Sequence, residues 1–275
     1  MKPLPLLLLV FLCLGTYPLR AFDNRFAIIL IDSETERQYG DFPLDRRLIA
    51  QGIDRLADMQ AKGVVLKFFF DLPKEADADA ALAKAMGRLP TILQARIDDS
   101  ELHANFLPDR FFFKEAQSGE VRAFSGRIGW IPLPIFSANA RDIGFVDLST
   151  PGQTDIVEKY QGKIVRSLAL CCLELAFDSN SRIVAGKSLK LGGKSIPLDS
   201  ENRVPVHFPA TNRLEYLKFH DLLAKKIDPH KVKGRVVILG YDGKKIPKIE
   251  SPLGAIGAHR YFIYALMDLS DRLDQ

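Results

Sequence analysis

Two acidic and two basic residues of the sequence lie where they could form a polar binding site. Asp32 and Asp71 each end an apolar run that is typical of a strand buried on both faces. We expect these strands to be parallel neighbours, which places both carboxylates at the carboxyl edge of the sheet, where open α/β folds bind ligands. Arg46 and Arg47 begin the helix between those strands and can reach the same edge. We therefore predict that these four residues bind a ligand; the alternative is that they only cap a helix and form ion pairs.

Established catalytic, metal and cofactor motifs are missing from the sequence. The five histidines show neither a His-Glu-x-x-His pattern nor a paired spacing, which a zinc site needs. No Gly-x-Ser-x-Gly segment is present to expose a nucleophilic serine. Two Gly-Lys-Ser segments, at 186–188 and 193–195, lack the earlier glycine of a phosphate loop, and 240–243 lacks the spacing of a dinucleotide site. We therefore predict no catalytic residue, no metal and no cofactor.

The spacing of apolar residues predicts the elements that must position these side chains. Runs of mostly apolar residues predict strands at 26–31, 64–70, 91–97, 143–146 and 236–240. Apolar residues at helical spacing predict helices at 45–59, 79–86, 164–177, 221–226 and 258–269. Two adjacent glycines predict a hairpin at 189–198, and a proline predicts an edge strand at 204–208. The sequence thus predicts a single α/β domain with a mixed, largely parallel sheet flanked by helices.

Length, composition and charge exclude several classes of protein. The 275 residues are 47% hydrophobic and 26% charged, which is typical of a globular protein and excludes disordered and polytopic membrane chains. Lysine and arginine outnumber aspartate and glutamate by only 38 to 34, so the strong positive charge of a nucleic-acid-binding protein is missing. Three cysteines cannot form a disulfide framework. We expect Cys171 and Cys172 to be small buried hydrophobic residues on a helix.

The N-terminal residues predict export. One lysine precedes the apolar run Leu4–Leu14, and Ala21 follows at a distance suited to cleavage. An apolar run this short is typical of a secretory signal and not of a spanning helix, which needs about 20 residues. We predict a signal peptide at 1–21, a mature domain at 22–275 and a periplasmic or extracellular location. Two alternatives stay open: an uncleaved inner-membrane anchor formed by residues 4–17, and a buried core helix.

Short motifs within residues 26–269 carry a resemblance to a known family. Near the start they are Ile29-Leu30-Ile31-Asp32, Gly40-Asp41-Phe42-Pro43-Leu44-Asp45-Arg46 and Ala61-Lys62-Gly63-Val64-Val65. Further on they are Ile143-Gly144-Phe145-Val146, Ser167-Leu168-Ala169-Leu170, Ile196-Pro197-Leu198-Asp199 and Gly234-Arg235-Val236-Val237-Ile238-Leu239-Gly240. In this order they resemble the second class of the cyclase/histidine-kinase-associated sensory extracellular (CHASE) domains. The chain departs from the family pattern at 155–159, where an Asp-Gly-x-x-Arg segment is common.

The resemblance implies an extracytoplasmic sensory domain without catalytic activity. Family members are usually tethered to membrane helices and a cytoplasmic cyclase, kinase or phosphatase, whereas we expect this chain to signal through a separate partner. The predicted partners are an unknown small ligand and a membrane signalling or envelope protein, but no nucleic acid. One alternative is an envelope interaction protein without a ligand, which would expose an apolar patch such as Phe111–Phe113. Another is a hydrolase that uses Asp32 and Asp71.

Overall fold

A seven-stranded sheet forms the centre of the computed structural model, which describes residues 24–100, 105–114, 116–117, 119–212 and 214–275. Its strands are β1 (Phe26–Ile31), β2 (Gly63–Leu66), β3 (Thr91–Ile97), β4 (Gly129–Trp130), β5 (Asp142–Phe145), β6 (Leu217–Lys218) and β7 (Val236–Tyr241). The order across the sheet is β6-β1-β7-β2-β3, and β3 also pairs with β4 and β5. The pairing of β3 with β4 is antiparallel and the others are parallel. The predicted mixed, largely parallel sheet is confirmed.

Helices cover both faces of this sheet, so the fold has three layers. They are α1 (Ser33–Tyr39), α2 (Arg46–Asp58), α3 (Ala76–Met86), α4 (Pro134–Asn139), α5 (Leu168–Phe177), α6 (Phe219–Leu223) and α7 (Ala258–Asp274), with 3-10 turns at Asp109–Phe111 and Pro229–Lys231. Residues of α2, α3, α4 and α6 share a hydrophobic core with one face of the sheet. Residues of α5 and α7 share a second core with the other face. The predicted α/β architecture with flanking helices is confirmed.

Alternate residues of the central strands belong to opposite cores. In β1, three residues pack towards α5 and α7, namely Phe26, Ile28 and Leu30. The other three pack towards α2, namely Ala27, Ile29 and Ile31. Burial of one aliphatic side chain contributes about 1.5–3 kcal/mol, so a strand buried on both faces needs mostly apolar side chains. This requirement explains why β1 and β7 are continuous apolar runs in the sequence.

Strand β7 separates β1 from β2, so the expectation that the first two strands are neighbours is wrong. Leu239 of β7 pairs with Ile29 on one side and with Leu66 on the other. The two outer strands are therefore two strand spacings apart, about 9.5 Å. The pattern of strand, helix and strand gives the parallel direction of a crossover, but not how many strands the crossover spans. Asp32 and Asp71 consequently do not follow adjacent strands.

Some elements differ from the prediction in their bounds, and one was not predicted. The second strand ends at Leu66 and not at Phe70. Helix α1 was not predicted, because its sequence is polar and only Thr35 is buried; Asp32 caps it by accepting a hydrogen bond from the Thr35 backbone N–H. The helix predicted from residue 164 begins at Leu168, after its N-cap Ser167, because residues 163–166 form a strand instead.

Smaller sheets complete the fold. One joins Ala116–Gln117, Arg182–Val184, Ser188–Leu191 and Lys194–Pro197, and another joins Ser125–Gly126, Val157–Tyr160 and Lys163–Arg166. Two further pairs are Gln153–Asp155 with Arg203–Pro205 and Lys248–Ile249 with Ile256–Gly257. The predicted hairpin is confirmed, since Gly192 and Gly193 form its turn with φ angles of 57° and 80°. The predicted edge strand is confirmed in shorter form, at Arg203–Pro205.

The two cysteines of α5 are buried free thiols, as predicted. Burial raises the pKa of both the Cys171 and the Cys172 thiol, so neither is a ready nucleophile. The alternative of an envelope interaction protein would need an exposed apolar patch such as Phe111–Phe113, but Phe111 and Phe112 are only 2% and 8% exposed and belong to the core. Hydrophobic packing against Tyr160 and its neighbours explains that burial.

The described part of the chain contains no helix that is both long enough and apolar enough to cross a membrane. The predicted signal peptide at 1–21 lies outside the described residues.

Candidate functional site

A cavity of about 480 Å³ lies at the carboxyl ends of β2, β3 and β5. Residues of those strand ends, of the first turns of α7 and of the segment 146–155 line it. Its volume is within the range of about 300–1,000 Å³ that small-molecule sites occupy. Ligands of open α/β sheets bind at this edge. We therefore take the cavity as the candidate ligand site.

Lys67 is a buried amine in the wall of this cavity. It directly follows β2, and its backbone N–H donates to the Leu239 carbonyl of β7, which fixes where the side chain begins. Its Nζ donates to Oε1 of Gln94 at 3.3 Å and lies 4.5 Å from the centre of the Phe262 ring. The residue Lys67 is only 5% exposed, so water screens the charge of its side chain poorly.

Burial disfavours the charged form of Lys67. Removal from water lowers the pKa of the Lys67 amine from 10.5 to about 7. Among the described residues no carboxylate lies within ion-pair distance of Nζ, and the nearby Cys172 thiol opposes the shift only in part. At neutral pH the amine is thus close to half protonated.

His259 supplies a second polar group from the first turn of α7. Its Nδ1 accepts a hydrogen bond from the Tyr241 backbone N–H at 2.8 Å. Burial and the nearby Lys67 hold the pKa of His259 well below its ordinary value, so the ring is neutral. Because Nδ1 is the acceptor, the proton of the neutral ring is on Nε2, which is left as a donor.

Two carboxylates that line the cavity already have partners. Asp147 accepts a hydrogen bond from the Ile97 backbone N–H at 2.8 Å and lies 3.6 Å from Nε of Arg96. Asp155 accepts from the Ser149 hydroxyl at 2.8 Å. Burial raises the pKa of both acids, and it raises the pKa of the adjoining, fully buried Glu158 well above its ordinary value.

Much of the remaining lining is apolar and aromatic, and includes Phe69, Phe124, Phe145, Ile249, Tyr261 and Phe262. Such a wall with a few polar groups is typical of a site for a small organic molecule. No three His, Cys, Asp or Glu side chains within the described ranges group closely enough to hold a metal ion. The arrangement can bind and orient a molecule that has an apolar body and one polar end.

Comparison with models of protein families finds a match to the CHASE2 domain over residues 6–263. That range covers nearly the whole chain. The chain belongs to the CHASE2 family. CHASE2 domains are extracellular sensory domains and are not themselves catalytic, so the resemblance seen in the sequence is confirmed. No curated protein and no solved structure matches the chain.

Asp32 has a structural position in this CHASE2 domain. Its carboxylate accepts hydrogen bonds from the Thr35 backbone N–H and hydroxyl at 2.9 and 3.0 Å. The same hydroxyl lies 3.0 Å from Nδ1 of His220, so a chain of polar contacts joins α1 to α6. Asp32 is not among the residues that line the cavity.

Substitution of Asp32 by alanine is therefore expected to lower the free energy of unfolding by roughly 0.5–2 kcal/mol, the usual cost of a lost helix N-cap. Urea denaturation measures it. Asp228→Ala is the matched control, because Asp228 caps only an exposed 3-10 turn through the His230 N–H. An Asp32→Ala protein as stable as this control would contradict the capping role.

The contacts of Arg46, Arg47 and Asp71 are with residues other than Asp32. The buried Arg46 pairs with Asp79 at 2.5 Å, whereas Arg47 is exposed and pairs with three surface carboxylates. The Asp71 backbone carbonyl accepts a hydrogen bond from Asn105 at 2.7 Å. The four residues are thus distributed over separate contacts, and a ligand role for them stays a prediction.

Sequence reasoning missed Lys67, Gln94 and His259. Lys67 lies within the apolar run 64–70, which was taken as one strand ending at Asp71. A single lysine inside an otherwise apolar run was the available signal, because a lysine is rarely buried without a partner. Gln94 and His259 gave no comparable signal, since isolated polar residues in a strand or helix are common.

Proposed function

We propose that this CHASE2 protein is an extracytoplasmic sensor that binds a small ligand in the cavity at the carboxyl edge of its sheet. The observation that carries the proposal is the buried amine of Lys67, which lines that cavity without a carboxylate partner among the described residues. A buried polar group is normally satisfied, so a cavity that leaves one incompletely paired is suited to a ligand. The sensory character of the family supports the same conclusion.

Helix α7 connects the cavity with a distant part of the surface. Ala258, His259 and Phe262 line the cavity from its first two turns, and the helix continues to Asp274. A ligand shifts the balance of two states only when it binds them with different affinity. We propose that contacts with this end of α7 provide that difference, and that the partner is a separate membrane signalling or envelope protein.

The proposed sensor has no catalytic activity of its own. Its proposed division is a signal peptide or anchor at 1–21 followed by the sensory domain at 22–275, without a cofactor. Support for the non-catalytic assignment comes from the family and from the two cysteine thiols, whose raised pKa makes them poor nucleophiles.

A thermal-denaturation screen of the full chain tests the cavity as the ligand site. The screen contains sugars, amino acids, nucleotides, organic acids and divalent cations. A compound at about 100 times its dissociation constant adds about 2.7 kcal/mol to the free energy of unfolding. Ala258→Phe is expected to weaken binding of any hit at least tenfold, because the larger side chain fills space next to His259.

Ala80→Phe is the matched control, since Ala80 is exposed on α3, which packs on the other face of the sheet. It is expected to leave the affinity unchanged. A hit that binds Ala258→Phe and the unaltered protein equally would place the site elsewhere. A screen without any hit, on a protein that unfolds cooperatively, would contradict a small-molecule sensor.

A further inference from the structure

We propose that the ligand of the cavity is a small organic anion, a carboxylate on an apolar body, whose charged group pairs with the ammonium of Lys67. This inference rests on the proposed function, because it names the class of ligand for the same cavity. It follows from four features: the unused donors of Lys67, the partners of the other charged groups, the adjoining helix ends and the apolar walls.

Lys67 has more hydrogen-bonding capacity than the protein uses. A protonated amine has three N–H donors, and the contact with Oε1 of Gln94 occupies one of them. The Phe262 ring face adds a weak attraction for the cation but accepts no charge-assisted hydrogen bond. A buried ammonium without a counter-ion is costly, and a carboxylate supplied by a ligand removes that cost.

The acidic groups that line the cavity do not act as the counter-ion of Lys67, because each has other partners. Asp147 faces Arg96 and the Ile97 N–H, and Asp155 is bonded to the Ser149 hydroxyl. Two groups whose charge interacts with Lys67 are the neutral His259 of α7 and the Cys172 thiol of α5, and the Tyr261 phenol of α7 also lines the cavity. Arg96, half exposed at the other end of the cavity, adds positive charge.

Two helices present their N-terminal ends to the same cavity. Ser167, the N-cap of α5, and Ala258, the first residue of α7, both line it. The N-terminal end of a helix carries a partial positive charge that favours an anion. The donor that His259 retains on Nε2 and the Gln94 amide N–H groups add neutral donors beside the amine.

The pKa of Lys67 near 7 makes the binding pH-dependent in a defined direction. A carboxylate binds the ammonium, so the amine takes up a proton when the ligand binds at or above neutral pH. Affinity is expected to be greatest near pH 6, to fall about tenfold between pH 6 and pH 8, and to fall again in acid, below about pH 5, where the carboxylate of the ligand is protonated. Ionisation of Asp147 or Glu158 would weaken anion binding in the same direction, so a Lys67 variant is needed to separate the two effects.

Paired carboxylate and amide probes test the inference on the full chain. Octanoate is compared with octanamide and cinnamate with cinnamamide by isothermal calorimetry at pH 6. We expect each carboxylate to bind at least tenfold more tightly than its amide. Lys67→Met is expected to abolish that preference and the pH dependence together. Lys163→Met, which removes an exposed lysine outside the cavity, is the matched control and is expected to retain both.

A second variant keeps the Lys67 amine and supplies the counter-ion that it lacks. Gln94→Glu places a carboxylate 3.3 Å from Nζ, where it acts as a built-in counter-ion. It is expected to weaken carboxylate probes at least tenfold and to leave amide probes unaffected. This result does not depend on whether Lys67→Met folds.

Several results would overturn the anion inference. If each carboxylate and its amide bound with equal affinity, the cavity would bind ligands, as the proposed function requires, but it would not discriminate a charged from a neutral ligand. A preference that survives in Lys67→Met would place the anion at Arg96 or outside the cavity. Failure of all four probes would also contradict it, while the broader screen separately decides whether the cavity binds any ligand.

Discussion

Replacing Asp79 with alanine is expected to lower the free energy of unfolding by about 3–5 kcal/mol, the cost of leaving one member of a buried ion pair without its partner. The Asp79 carboxylate accepts from Nη1 of Arg46 at 2.5 Å, and both side chains are less than 10% exposed. Arg46 also donates to the Leu72 carbonyl and lies over the Phe136 ring. Without Asp79, that guanidinium stays buried with one hydrogen bond and no counter-ion.

Urea denaturation measures this loss, and the neighbouring arginine gives the control. Arg47→Ala removes a residue that makes more ion pairs than Arg46, but in solvent. Exposed pairs contribute little because water and salt screen them, so its effect should be far smaller. The double variant Arg46→Met with Asp79→Ala should recover part of the lost stability. Equal effects of Asp79→Ala and Arg47→Ala would contradict the assignment.

The opposite result is expected for Lys67→Met: the unliganded protein becomes more stable. The fall in the Lys67 pKa from 10.5 to about 7 corresponds to roughly 5 kcal/mol of destabilisation by the charged form. Methionine has a similar length and no charge, and the lost hydrogen bond to Gln94 offsets about 1 kcal/mol of the gain. At pH 6 the net gain should be roughly 4 kcal/mol.

The stability gain of Lys67→Met is expected to decrease as the pH rises. Below pH 7 the amine is protonated in both the folded and the unfolded protein, so the full penalty is present. Between pH 7 and 10.5 the folded protein has released the proton and the unfolded protein still holds it, so the penalty shrinks by about 1.4 kcal/mol per pH unit. Denaturation of both proteins at pH 6 and pH 9 measures it. A stability difference that does not change with pH, or a less stable variant, would contradict the buried, unpaired amine.

These two substitutions also show how far the sequence determines the site. Strong apolar runs predicted β1 and β7 almost to the residue, because every residue of these two strands is buried and the runs contain no charged side chain. The N-cap Asp45 likewise marked the start of α2. Pattern alone did not give the order of strands, since apolar composition is the same whichever neighbour a central strand has. For that reason the expectation that β1 and β2 are neighbours was wrong, and the ligand role of the four predicted residues stays a prediction.

The sequence shows which residues are charged, but it does not show which partner each charged side chain has in the fold. Arg46 and Arg47 are adjacent and chemically identical, yet one is buried against Asp79 and the other is exposed. Helical geometry turns neighbouring residues by about 100°, so Arg46 is turned into the interior against Asp79 and Arg47 lies in solvent beside Glu75 and Asp77. Lys67 was not predicted as a site residue because it lies in an apolar run that predicts only a buried strand. Its role depends on the cavity that it lines, which the sequence does not show.

The central position of β7 determines how this protein must fold. Its residues pair with β2 about 170 positions earlier and with β1 about 210 positions earlier, and closing contacts across such sequence separations slows folding. In chain order, β1 and β2 come long before the strand that must lie between them. Until Val236–Tyr241 is in place, the two halves of the sheet expose facing backbone edges that can pair with other chains. Insertion of β7 is therefore expected to be a slow step of folding, during which these exposed edges favour aggregation.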